Sequence, residues 1–247
     1  MLNDPLVRDR ASEFPLLQRE TYLDHAGSSL FSASQFNSAT KELSGFLPRN
    51  PHSSPNEKIH ECRLKVLEFL GASNDYVTVF NSGSSGGLSS LGHILLLGDP
   101  NIKFYYLDES HTSLVGLREL SGSYDCFSRE DMDSLDSQFF GDEETSLIAF
   151  PAMSNFCGYK FPFEDWIRKI RLIENQEKRK IYILLDTASY ASNNQLDLSA
   201  ESGIDPDFVV LSFYKIFGYP TGVGALVLKD ECLKTLLRVI EASFAMK

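Results

Sequence analysis

Cysteine is sparse. The four residues Cys62, Cys126, Cys157 and Cys232 lie far apart and no two form a CxxC pair, so neither a disulfide framework nor a zinc site is indicated. A reducing compartment and no metal are expected. Long apolar runs are also absent: no stretch reaches the ~20 residues a bilayer span needs. The amino-terminal MLNDPLVRDRASEF mixes charges of both signs and has no apolar core of a signal peptide. Positive charge is scarce as well, with 23 basic against 34 acidic residues and a net charge of -11. Such a surface repels phosphate backbones and anionic lipids, which argues against nucleic acid and membrane as partners. A soluble, cytoplasmic protein is expected. No internal repeat, low-complexity tract or charge block interrupts the chain. The one Pro/Ser/Asn-rich stretch, PRNPHSSPN at 48–56, reads as a long loop within one domain.

What is present is enough apolar material for a core. With 247 residues, 43% of them apolar and 12% aromatic, the chain is expected to form one compact unit over residues 1–247. Short β-rich apolar runs recur as YVTVF (76–80), KFYYL (103–107), SLIAF (146–150), IYILL (181–185) and FVVL (208–211). Helical patterns lie between most of them, near 86–97, 112–121 and 163–176, and NEKIHECRLKVLEFL with Gly71 as its stop precedes the first. Fully apolar strands separated by helices predict an α/β fold, a mostly parallel sheet with helices on both faces. In such sheets ligands bind beyond the carboxyl ends of the strands.

Polar residues follow those strand ends, and each has two readings. NSGSSGG (81–87) is either an anion cradle at a helix start or an ordinary connector. Asp186 either points into a ligand crevice or makes a cap or turn. Lys215, in LSFYKIFGYPTGVGALVL, is either a desolvated, imine-forming amine or a solvated surface lysine. His111 in DESHTSL and Asn155 in PAMSNFCG are either ligand contacts or turn residues. Their order is more informative than any one of them. Gly/Ser loop, histidine, asparagine, aspartate and lysine each follow a strand end of one sheet.

With YLDHAGSSL (22–30), NSGSS (81–85), DESHTSLVGLRE, FPAMSNFCGYKFP (150–162), LLDTASYASNNQLDLS (184–199) and SFYKIFGYPTGVGALVL (212–228), the chain resembles the class V aminotransferase family of fold-type I pyridoxal 5'-phosphate (PLP) proteins. The likeness is strongest to its molybdenum cofactor sulfurase branch. The resemblance implies a fold-type I large domain with a C-terminal small subdomain missing. It assigns Lys215 to the Schiff base, Asp186 to the pyridine nitrogen, His111 to the ring face and Asn155 to the ring hydroxyl. Ser84, Ser85 and Ser212 fall on the phosphate side. Tyr214 stands where cysteine desulfurases of this class usually have histidine. The implied activity takes sulfur from L-cysteine and passes it to the molybdenum cofactor. A cysteine desulfurase or selenocysteine lyase would use the same contacts, and a truncated, non-catalytic PLP-binding protein is the rival from another class. The resemblance puts the carboxylate-binding arginine and the sulfur-accepting cysteine beyond Lys247 and implies a homodimer. Cys157 reads as a small buried cysteine.

Overall fold

The computed structural model describes residues 10–45, 57–72 and 74–245; the loop expected at 48–56 lies outside them. Helix α1 (Ala33–Ser44) starts at Ser32, whose hydroxyl accepts from Gln35 N–H, the expected amino-terminal cap. Helix α2 (Glu57–Phe69) runs to the Gly71 stop, where φ is +57°, a backbone angle that favours glycine. After β1 (Tyr76–Asn81) come α3 (Gly83–Leu95), β2 (Lys103–Leu107) and the single turn α4 (Thr112–Val115). Next are β3 (Ser123–Phe127), β4 (Thr145–Pro151), α5 (Phe163–Glu177), β5 (Lys180–Asp186) and β6 (Phe208–Ser212). The short α6 (Phe213–Phe217), β7 (Gly224–Lys229) and α7 (Asp230–Ala245) follow.

The strands form one seven-stranded sheet in the order β1-β7-β6-β5-β4-β2-β3. Every pairing is parallel except those of β7, which runs antiparallel to both β1 and β6. Alternation along each strand sends side chains to opposite faces. On one face Phe104, Leu147, Leu184 and Val210 pack with Leu88, Leu91 and Leu95 of α3 and with Leu236 of α7. On the other, Ile148, Ile183 and Val209 pack with Trp166, Ile167, Ile170 and Ile173 of α5. Those four helix positions repeat at near-helical spacing, and full burial of each such side chain contributes roughly 1.5–3 kcal/mol.

Two strands were not predicted. β3 is an edge strand whose first four residues are exposed, so SYDCF carries too little apolar signal to be read. β7 is apolar and buried, but its sequence continues the lysine motif without the helix that would mark a crossover. The stretch at 112–121 is one α turn followed by a 3-10 turn over Gly116–Leu120.

At the amino end of β6, Asp207 anchors the sheet from below. Its Oδ2 accepts from Arg171 Nη2 at 2.6 Å and from Ile183 N–H at 2.8 Å, while Lys180 and Lys229 lie 3.8 Å from Oδ1. Cys232 and Glu231 also approach this carboxylate. With three cations already around it, the group is an ion-pair network. No helix among the described residues is long and apolar enough to cross a membrane.

Candidate functional site

The parallel strands deliver their carboxyl ends to one edge of the sheet. Gly224, the first residue of β7, meets both Asn81 and Ser212 there. A Cβ at Gly224 would lie 2.6 Å from Gly83 Cα, so only glycine lets the start of α3 close onto the sheet. The Gly/Ser run is therefore not a loop: α3 begins at Gly83, and Ser84 and Ser85 occupy its first turn. Ser82 makes no side-chain cap bond and the first turn holds no acidic side chain. The positive end of a 13-residue helix is thus available to an anion.

Ser84, Ser85, His111, Asn155, Asp186 and Lys215 line one cleft at this edge. Ser212 does not line it but supports it, accepting Ser84 N–H at 3.0 Å and donating to Ser84 Oγ at 2.9 Å. Asp186 is the buried member, 6% exposed. Burial raises its carboxyl pKa, and the Ala188 hydrogen bond, then the charges of Lys215 and His111, offset part of that rise. Its Oδ1 accepts Ala188 N–H at 2.9 Å, so Asp186 makes a turn contact while lining the cleft. No cation forms a salt bridge with it among the described residues. His111 is exposed and caps α4, its Nδ1 accepting Ser113 N–H at 3.2 Å.

Lys215 is half-buried on α6, and its Nζ donates to Ser189 Oγ at 3.4 Å. Ser189 is a cleft residue that sequence reasoning missed. The available signal was its place three residues after Asp186, in the turn that leaves β5. The space in this cleft is about 50 Å³, room for ordered water. A larger cavity of about 890 Å³ between α2 and α6 is lined mainly by apolar side chains, among them Ile59, Phe69 and Phe213. The polar constellation belongs to the smaller cleft.

Cys157 departs from expectation: it is exposed and does not line the cleft. Past the end of β4 the chain turns back on itself, with Ser154 N–H donating to Tyr159 O at 2.8 Å and Gly158 at φ +74°. That turn leaves Phe156 95% exposed beside it, so no apolar layer covers the thiol. Hydrogen bonding to Ser154, then to the Tyr159 backbone, lowers the Cys157 pKa.

The aminotransferase class-V family model matches residues 21–244. Molybdenum cofactor sulfurase 1 of Aedes aegypti is 41% identical over 225 residues, which are 87% of this chain and 29% of that protein. The chain thus spans under a third of that relative's length. Among solved structures, the apo cysteine desulfurase of Thermococcus onnurineus NA1 superposes with a TM-score of 0.69 at 21% identity, over 91% of this chain and 57% of that one. A C-DES variant with glycine covalently linked to its PLP cofactor gives a TM-score of 0.64 at 17% identity, over 92% and 60% of the two chains. At these identities the structural likenesses establish the fold.

Proposed function

The chain belongs to the class V aminotransferase family, and on that premise we propose that it is the PLP-binding large domain of a sulfurtransferase of the molybdenum cofactor sulfurase type. L-cysteine is its sulfur donor, the molybdenum cofactor its acceptor, and the cytoplasm its compartment. The observation that carries the reading is the pairing, in one cleft, of an amine on Lys215 with a buried carboxyl on Asp186 that no salt bridge neutralises among the described residues. Burying a charge in that way costs stability unless a ligand supplies the opposite charge. A protonated ring nitrogen is such a partner.

Lys215 Nζ, which Ser189 holds in the free chain, would be the group that holds the cofactor's aldehyde end. Asp186 would keep the proton on the ring nitrogen. His111 would cover the ring face, and Asn155 would donate to the ring hydroxyl. Ser84 and Ser85, backed by Ser212, would hold the phosphate at the positive end of α3. When bound, PLP supplies an electron sink for a carbon attached to the substrate's amine nitrogen. When it is not linked to the cofactor, the Lys215 amine would also be the cleft's base for a proton on that carbon. A cysteine desulfurase or selenocysteine lyase would use the same residues; the 41% identity to a molybdenum cofactor sulfurase favours the sulfurase. Fold-type I sites are completed at a dimer interface, so the reading includes a homodimer, which light scattering tests.

The test is covalent mapping. The purified chain given PLP should develop a visible absorbance that borohydride fixes at Lys215, and Lys215→Ala should lose the linkage while still admitting the cofactor. A label spread over surface lysines would remove the central claim.

A further inference from the structure

Lys215 lies on a helix of five residues, Phe213–Phe217. A helix this short can satisfy few of its own carbonyl groups. Gly218 N–H reaches back to Tyr214 O at 2.9 Å. The other donors come from the segment around residues 29–35, distant in sequence. Ser29 N–H donates to Tyr214 O at 3.2 Å, and the Ser29 hydroxyl donates to Lys215 O at 2.6 Å. Gln35 Nε2 donates to Phe217 O at 3.0 Å and to Tyr219 O at 3.3 Å. The Tyr22 hydroxyl fixes the approach by donating to Ser28 O at 2.7 Å.

Contact between the two segments is close enough to dictate a residue type. Gly218 has φ +74°, and a Cβ there would stand 2.5 Å from Ser29 O and 2.6 Å from Phe31 N. The YLDHAGSSL motif thus ends as a clamp on the helix that presents the lysine. A lysine side chain is a flexible four-carbon stem, so the fixed reference for its amine is its own backbone. The Ser29 hydroxyl bonds that backbone at Lys215 itself.

Resting on the reading of Lys215 as the attachment point, we propose that Ser29 is a positioning residue: by holding the Lys215 carbonyl it sets the amine's reach into the cleft that Asp186 and Ser189 line. Ser29 does not line that cleft, and it acts through Lys215.

The experiment compares wild type with Ser29→Ala, Ser29→Thr and Gly218→Ala, all as the 247-residue chain incubated with PLP. Four quantities are read: total cofactor bound, the fraction linked to lysine from its visible absorbance across pH, the rate of borohydride fixation at Lys215, and the urea midpoint. Ser29→Ala should bind cofactor yet show the linked-to-unlinked ratio lowered about three- to tenfold, the worth of one hydrogen bond. Ser29→Thr keeps the donor and should recover to within about twofold of wild type, a margin well inside one hydrogen bond's worth. Gly218→Ala should fall in the same direction as Ser29→Ala, because its Cβ strikes the clamp. A lower urea midpoint in Ser29→Ala with an unchanged linked fraction and fixation rate would make the bond purely structural and overturn the proposal. Failure of threonine to rescue the linked fraction would do the same. If wild type itself forms no linkage at Lys215, the functional reading falls and takes this proposal with it, an outcome distinct from both.

Discussion

Replacing Asp186 by asparagine should affect the free chain and its PLP complex in opposite directions. In the free chain the carboxylate is 6% exposed and accepts one hydrogen bond, from Ala188 N–H. Burial raises its pKa, and that hydrogen bond with the charges of Lys215 and His111 only partly counters the rise. A carboxyl whose folded pKa exceeds its unfolded value binds more protons in the native state. Its presence therefore lowers stability as pH climbs from the unfolded value, ~3.9, to the folded value, by up to about 1.4 kcal/mol per pH unit. Above that window the cost is constant. Asparagine has no proton to lose and keeps an oxygen for Ala188 N–H. The free variant should thus be more stable than wild type near neutral pH, with the gap closing towards the unfolded carboxyl value. With PLP bound the sign reverses, because a buried cation loses its partner at a cost of about 3–5 kcal/mol. Trp166 is the sole tryptophan and is 1% exposed, so its fluorescence reports urea unfolding in both states. A free variant less stable than wild type at neutral pH, or a difference that does not change with pH, would refute the reasoning.

Asp207→Ala should cost about 1–3 kcal/mol in urea unfolding, since it takes the acceptor from the buried Ile183 N–H and one of three carboxylates from Arg171, which keeps Glu174 and Asp205; a loss under about 0.5 kcal/mol would show the network to be redundant. Alkylation should separate the thiols: Cys157, exposed with a lowered pKa, should react well before Cys232, which is buried and pushed up to about 12. Peptide mapping after brief iodoacetamide treatment checks the order, and early labelling of Cys232 would contradict it.

The sheet was legible where strands are buried on both faces. IYILL and FVVL are apolar throughout because β5 and β6 sit in the middle of the sheet, and a residue there has no solvent side to advertise. The same logic hid β3, an edge strand exposed along most of its length. Cys157 was misread for a related reason: burial of a small thiol depends on which way a turn folds, and local composition carries no record of that. Ser189 was overlooked because a serine in a turn has an ordinary local role, and only the approach of α6 gives it Lys215 as a neighbour.

The sequence by itself determined the α/β class, five of the seven strands and the polar residues that follow them, because burial and periodicity are written locally. Tertiary structure alone decided which of those residues share a cleft. Asp186 and Lys215 are brought together by β5 and β6 lying side by side. It also decided that the motif near residue 29 holds the backbone of residue 215. Contacts across that much sequence depend on how the sheet closes and on what the segment between packs against, and neither is encoded at the two positions that meet.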